Sequence, residues 1–426
     1  MLIGAVADDI TGAADLCLML SRAGMHSVQV MGVPDPETAL PNADAVVIAL
    51  KSRTIAAGLA VEMSLAAARA LIRAGAEQIL FKYCSTFDST DAGNIGPVTE
   101  ALLALSGAEI TIACPSFPAN GRTVYKGHLF VGDQLLSDSP MKDHPLTPMR
   151  DANLVRVLGR QTQGPVGLVD MATIAQGATA VRSALSAAQA AGMRILVVDT
   201  LTEADLMTLG AACSTLRLVT GGSGIALGLA ANFVNAGKVT PHSTKTRWQA
   251  PAGRSVILAG SCSVATRGQI ALAQAQGLPS LAVDVAALAD HRQTAASIAE
   301  WALAATASLP PLIYSSADPQ TLAHTHATLG RDPSGALVEQ VLAEVAQRLQ
   351  TRGFSRFVVA GGETSGAVVA ALGVKMLEIG PEIDPGVPWT RSIGGPDLVL
   401  ALKSGNFGAP DFFLKAWALL EPEAVR

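Results

Sequence analysis

Lys82 ends the apolar run 78–81 and opens a polar stretch, Tyr83-Cys84-Ser85-Thr86-Phe87-Asp88-Ser89-Thr90-Asp91-Ala92-Gly93-Asn94-Ile95-Gly96. One lysine, two carboxylates and four Ser and Thr hydroxyls in so short a span can bind and orient a small hydroxylated anion. After it, Pro97 suits a first helical position, and Val98, Ala101, Leu102 and Leu105 share one helical face. The stretch is therefore a strand-to-helix loop, the edge of an open α/β sheet at which ligands bind. A competing reading gives Ser, Thr, Asp and Asn only turn and capping bonds. A lysine at the end of an apolar strand has no capping task, so an anion, carboxylate or phosphate is the expected partner.

Other residues of reactive type recur at comparable places. Asp8 and Asp9 follow the apolar run 2–6, and adjacent side chains diverge, so one can cap the next helix while the other holds a substrate hydroxyl or hydrated Mg²⁺. Arg53, in Lys51-Ser52-Arg53-Thr54 after the run 45–50, suits a carboxylate through its fork of donors, or is a solvated arginine near a helix start. Arg122, His128 and His144 lie in a segment rich in Pro and Gly that runs from Cys114 to Pro148, long enough for a binding loop or lid.

Positioning these groups requires a repeated scaffold. Apolar runs at 2–6, 45–50, 78–81, 109–113, 166–170, 195–199 and 216–220 alternate with helical patterns, which predicts a largely parallel sheet covered on both faces. The polar, basic segment 237–247 has no apolar period and marks a boundary, giving domains 1–245 and 246–426. Strands at 255–259, 280–283, 312–315 and 357–360 restart the pattern. Two α/β domains are expected, each with a largely parallel sheet flanked by helices and with the ligand cleft between them.

The second half carries three glycine-rich turns: Gly260-Ser261-Cys262-Ser263, Gly361-Gly362-Glu363-Thr364-Ser365-Gly366 and Lys403-Ser404-Gly405-Asn406-Phe407-Gly408. Glycine permits close backbone approach, and a helix start offers unpaired N–H groups to a phosphate. A tight structural turn is the alternative. Neither the Walker A pattern nor the dinucleotide fingerprint is present.

Bulk properties narrow the class. In 426 residues, half are apolar, 15% charged and 4% aromatic, with a net charge of -5. Such a surface has few stacking platforms and no basic field, which argues against nucleic acid as a partner. The amino terminus lacks a basic n-region and apolar runs break before membrane-spanning length, so a cytoplasmic protein without membrane partners is expected. The five cysteines show no paired metal-ligand spacing.

Together these motifs resemble the four-carbon acid sugar kinases, over nearly the whole chain. Within that family, Lys82-Tyr83-Cys84-Ser85-Thr86-Phe87-Asp88-Ser89-Thr90 departs from the threonate and erythronate kinase pattern, with cysteine in place of aspartate. With Cys114-Pro115-Ser116-Phe117-Pro118-Ala119-Asn120-Gly121-Arg122, it is similar to the 3-oxo-tetronate 4-kinase branch. The resemblance implies ATP and Mg²⁺ as cofactors and phosphorylation of the terminal hydroxyl of a four-carbon 3-keto acid. Threonate or erythronate kinase activity is the alternative within the family, and a non-catalytic sugar-acid binding protein the alternative outside it.

On that expectation Asp8, Asp9 and Asp88 are the catalytic candidates. Arg53 and Lys82 grip the substrate carboxylate, with Thr11, Gly12, Ser52, Ser85, Thr86, Asn94 and Arg122 completing the substrate site. Ser261, Gly361, Gly362, Glu363, Thr364, Ser365 and Gly405 hold the nucleotide, with Glu363 behind Mg²⁺. Domain closure then excludes water. A homo-oligomer is compatible with so apolar a chain.

Overall fold

A computed structural model describes residues 1–35, 37–144, 146–239, 248–305, 309–315 and 331–422. They form two compact units, Met1–Ser243 and Thr244–Arg426. The boundary expected at 245/246 lies in 240–247, outside the described residues.

In the first unit, eight parallel strands run in the spatial order Ser27–Met31, Ala45–Ala49, Ile3–Ala7, Gln78–Lys82, Leu218–Gly221, Thr111–Cys114, Ile195–Val198 and Val166–Val169. The three strands Ile3–Ala7, Ala45–Ala49 and Gln78–Lys82 are buried at every position, which is why they read as continuous apolar runs rather than alternations. Ala7 pairs with Ala49 on one side and with Lys82 on the other. Their carboxyl ends therefore lie side by side, and the helices Ile10–Arg22, Ala57–Arg73 and Ile95–Ser106 begin beyond them.

The strand Ser27–Met31 has no apolar run to announce it, because Ser27 and Gln29 are buried. Their donors are used within the core, Ser27 Oγ to Cys17 O at 2.8 Å and Gln29 Nε2 to Ile10 O at 2.9 Å, while Gln29 Oε1 is buried without a partner. Pro97 is at the third helical position, not the first, since the helix starts at Ile95. The shift is tolerated because none of the first four helical N–H groups has an intrahelical acceptor. The segment beyond Cys114 is more ordered than its prolines suggest. Arg122–Tyr125, His128–Val131 and Gln134–Leu135 form a small antiparallel sheet, and Lys126 (φ 50°) and Gly127 (φ 71°) supply the two left-handed residues of its first turn.

In the second unit, five parallel strands run in the order Ser280–Ala282, Leu312–Tyr314, Arg254–Ala259, Phe354–Ala360 and Val399–Lys403. An antiparallel hairpin, Met376–Asp384 and Val387–Ile393, extends the sheet beyond Val399–Lys403. Ala259 pairs with Ala360, and Ala360 with Lys403. The second unit thus repeats the feature that matters in the first: three adjacent strands ending at one level, each followed by a polar or glycine-rich turn.

Candidate active site

At the strand ends of the first unit, Arg53 is the hub. Its Nε and Nη2 donate to both oxygens of Asp8 at 2.9 and 2.8 Å, and Nη2 also reaches Asp9 Oδ1 at 2.5 Å. Nη1 faces Asp88 Oδ2 at 3.7 Å, beyond hydrogen-bond distance. Backbone bonds fix the base of this group. Asp8 N donates to Lys82 O, and the N–H groups of Ser52 and Arg53 both donate to Asp8 O.

Asp9 caps the helix Ile10–Arg22 from an extended conformation, accepting from Gly12 N at 3.1 Å and from Thr11 Oγ1 at 2.7 Å. The two adjacent aspartates therefore divide their tasks. Burial raises the proton affinity of Asp8 despite its bidentate arginine. Burial acts on Asp9 in the same direction but is outweighed by the charges of Arg53 and Lys82 and by the Thr11 and Gly12 donors, so its carboxyl lies below the ordinary value. The Arg53 guanidinium stays charged because two carboxylates more than offset its burial.

Lys82 is 2% exposed, and its Nζ donates to Tyr83 O at 2.9 Å rather than to a carboxylate. An ideal Cβ added to Gly12 would lie 2.9 Å from that ammonium, which places it against the first turn of the helix. An ammonium beside the positive end of a helix calls for an anion.

Asp88 sits in a loop forced out of ordinary geometry: Phe87 and Asp88 have φ of 65° and 45°. Bulky residues persist there only when their surroundings over-determine them. Here Phe87 is fully buried edge-on to Tyr83, and Thr86 Oγ1 donates to Asp88 Oδ1 at 2.7 Å. Asp88 Oδ2 is left without a hydrogen bond. Ser85 is buried in the same loop, and Cys84, whose Sγ lies 3.0 Å from Thr86 Oγ1, has its thiol pushed up to about 12 by burial and the nearby Asp88 charge.

Asn94 Nδ2 donates to Ser52 O at 2.8 Å and, at 3.3 Å, to Arg53 O and Ile55 O, tying the two loops together. Arg122 makes its bond elsewhere, Nη1 to Asn120 O, with Nε buried and unpartnered. His128 and His144 are engaged by Lys126 O and Thr147. One contributor has no motif around it. Gln161 donates to Ser89 Oγ and Thr90 O and accepts from Gly96 N, and an ideal Cβ on Gly96 would lie 2.6 Å from Gln161 Cβ.

In the second unit the helix Gly362–Ala371 has Gly361 (φ 128°) as its N-cap residue and no side-chain cap, leaving its start to an external acceptor. An ideal Cβ on Gly362 meets nothing within 4 Å, so the cradle is open. In contrast, a Cβ on Gly260 would lie 2.1 Å from Thr364 Oγ1 and one on Gly405 2.4 Å from Ser261 Oγ. Ser365 Oγ is buried without a partner in that first turn, and Glu363 is its carboxylate. Uncapped N–H groups, glycines at close approaches and an orphaned hydroxyl fit a polyphosphate. Among the described residues, no three His, Cys, Asp or Glu side chains converge as a metal site. Mg²⁺ commonly reaches kinases through phosphates and one or two carboxylates.

Comparison with known proteins agrees with this division. Residues 3–229 match the family described as the sugar-binding N-terminal domain, and residues 256–413 the nucleotide-binding C-terminal domain. A 3-oxo-tetronate kinase from Cupriavidus necator is 54% identical over 417 residues, covering 97% of this chain and 96% of that one. Another from Burkholderia multivorans is 53% identical over 426 residues, covering 99% and 98%. A solved structure from Salmonella typhimurium LT2, described as a tRNA synthase, is 42% identical with a TM-score of 0.86, covering 98% and 99%. The chain belongs to the four-carbon acid sugar kinases, within the 3-oxo-tetronate kinase branch, and is a phosphotransferase.

Proposed function

We propose that the protein transfers the γ-phosphoryl group of ATP to the 4-hydroxyl of a 3-oxo-tetronate. The observation that carries the substrate half is the set of groups at three adjacent strand ends: a buried lysine facing a helix start, an arginine whose Nη1 makes only a long ion pair with Asp88, and a carboxylate oxygen without a hydrogen bond. Lys82 and Arg53 Nη1 take the substrate carboxylate and neighbouring oxygens, with Thr11, Gly12, Ser52, Ser85 and Thr86 lining the site. Arg122, with its unpartnered Nε, is a further donor for an oxygen of the same substrate.

Asp8 and Asp9 hold the Arg53 guanidinium, and Asn94 holds the carbonyls on either side of it. Asp88 Oδ2 is the oxygen that orients the attacking hydroxyl and receives its proton. Phosphoryl transfer needs positioning and charge stabilisation above all, and a rigid carboxylate supplies the first.

Ser261, Gly361, Gly362, Thr364, Ser365 and Gly405 hold the nucleotide. Mg²⁺, where bound, neutralises charge developing on the β- and γ-phosphates, and Glu363 is the carboxylate of the first turn in a position to hold it. The activity belongs to carbohydrate acid catabolism in the cytoplasm. A tRNA-directed activity is disfavoured by the net charge of -5 and the 4% aromatic content, which leave neither a field for phosphates nor platforms for bases.

The test is ADP formation, coupled to a reporter enzyme, over a panel of both 3-oxo-tetronate epimers, threonate and erythronate. Turnover is expected with a 3-oxo-tetronate and ATP. A preference for threonate or erythronate would move the protein to the other branch, and absence of ADP with every acid would refute the kinase reading. Asp8 and Asp9 stay in the account only if Asp9→Asn lowers turnover.

A further inference from the structure

Lys403 closes the strand Val399–Lys403 and is fully buried, yet no carboxylate accompanies it. Its Nζ instead bonds Thr266 Oγ1 at 3.0 Å, Ser404 O at 3.0 Å and Gly405 O at 3.1 Å. Thr266 Oγ1 itself donates to Gly405 O at 2.9 Å, so it accepts from the lysine. All three partners are therefore acceptors, and making all three contacts at once takes three N–H donors, which the ammonium form carries and the neutral amine does not. A buried cation without a counterion is costly, and burial alone lowers Lys403 to about 7. The contacts favour the charge that solvation penalises. The conflict is removed by an anion that binds next to the knot.

The loop shows where that anion sits. Gly405 O receives three donors, from Ser263 Oγ at 2.6 Å, Thr266 Oγ1 and Lys403 Nζ. With no cis peptide among the described residues, the Gly405–Asn406 peptide is planar and trans, so its N–H points opposite to its pinned carbonyl. Asn406 is exposed, and its N–H is thus directed outward from the knot. The same loop touches the Ser261 side through Gly405, as its Cβ clash distance shows.

Resting on the nucleotide assignment of the second unit, we propose that Lys403 is a positioning residue for that site: its ammonium fixes the Gly405–Asn406 peptide so that the N–H faces the phosphate chain, and the bound polyphosphate supplies the missing counter-charge. Neighbouring elements carry few competing charges. The helix Val264–Ala275 contributes Arg267, the strand Phe354–Ala360 contributes Arg356, bound to Pro251 O, and the helix Gly362–Ala371 contributes Glu363. The strand Val387–Ile393 carries Arg391, paired with Asp397.

The consequence is proton-linked nucleotide binding. Between the free and the raised bound value of Lys403, ATP affinity should fall by up to about tenfold per pH unit as pH rises above about 7. The nucleotide's own phosphates titrate near pH 6, so the readout is the difference between wild type and Lys403→Met, which keeps that contribution and loses the lysine's. Calorimetric titration of the full chain with Mg·ATP, from pH 6.5 to 8.5 in buffers of different ionisation enthalpy, measures affinity and protons taken up.

Wild type should take up a fraction of a proton approaching one at pH 8, and Lys403→Met should lose that uptake and bind at least about tenfold more weakly at pH 6.5. Should Lys403→Met fail to fold, the uptake by wild type decides alone. ATP binding with no uptake, or a methionine variant with unchanged affinity, would overturn the inference while leaving the kinase reading intact. No ATP binding at all would overturn the nucleotide site itself.

Discussion

Gly12→Ala is the smallest change that reaches the centre of the substrate site. A methyl group built there lies 2.2 Å from Asp9 Oδ1 and 2.9 Å from Lys82 Nζ, so the carboxylate must rotate away. Three interactions go with it: the two Gly12 N contacts of the helix cap and the Arg53 Nη2 bond. Losing a cap costs about 1 kcal/mol, and losing a charge-assisted hydrogen bond about 1.5–3 kcal/mol. The lower end applies, because the Arg53 and Asp9 side chains are 21% and 19% exposed. Alanine returns about 1 kcal/mol of helix propensity. The net loss is roughly 1.5 kcal/mol, which, if realised in the transition state, is about 13-fold in kcat/KM.

Gly58→Ala is the matched control, since a Cβ there meets nothing within 4 Å in the helix Ala57–Arg73. Urea unfolding and coupled ADP formation should separate the two variants, with Gly58→Ala at or above wild-type stability. If Gly12→Ala matched Gly58→Ala in both assays, the Asp9–Arg53 clamp would have no role in the site.

Other outcomes follow from the same geometry. Asp88→Asn should lower kcat by about 10²–10⁴ with little change in KM, since it removes a proton acceptor and keeps the shape; a steady-state comparison with wild type checks this, and an unchanged kcat moves the base elsewhere. Asn94→Ala should lose about 1–3 kcal/mol of stability, because it removes the donor shared by the Ser52, Arg53 and Ile55 carbonyls, and should lower kcat/KM with it; chemical denaturation and kinetics measure both. Burial lowers Lys403 from 10.5 to about 7. Between those values the folded, nucleotide-free protein then binds fewer protons than the unfolded chain, so stability should rise with pH across that window and the rise should vanish in Lys403→Met. Thermal unfolding from pH 7 to 10 tests the sign.

Much of this arrangement was legible in the residues. Continuous apolar runs such as 45–50 and 78–81 announced strands buried on both faces, and the polar groups after them marked the ligand edge. What stayed hidden is physical in kind. Ser27–Met31 keeps buried Ser27 and Gln29, whose bonds to Cys17 O and Ile10 O make polar residues compatible with a core. The hairpin Met376–Asp384 and Val387–Ile393 carries Glu378, Glu382 and Arg391 among its apolar residues, which masks its strands. Within the site, residue types foretold Arg53 and Asp88 but not their division of labour, because that depends on which oxygens Thr86 and Arg53 already occupy. Gln161 and the Lys403 knot depend on contacts across 65 to 142 residues of chain, and local spacing holds no trace of those.

The central claim is that the strand ends of the first unit bind the sugar acid and those of the second bind the nucleotide. Calorimetric titration of Arg53→Met and Gly362→Val with each ligand separately tests it most directly. Gly362→Val adds its side chain in open space, so the fold should persist. Arg53→Met should lose 3-oxo-tetronate binding and keep Mg·ATP binding, while Gly362→Val should do the reverse. Both folded variants retaining both ligands, or each losing the ligand assigned to the other unit, would contradict the account.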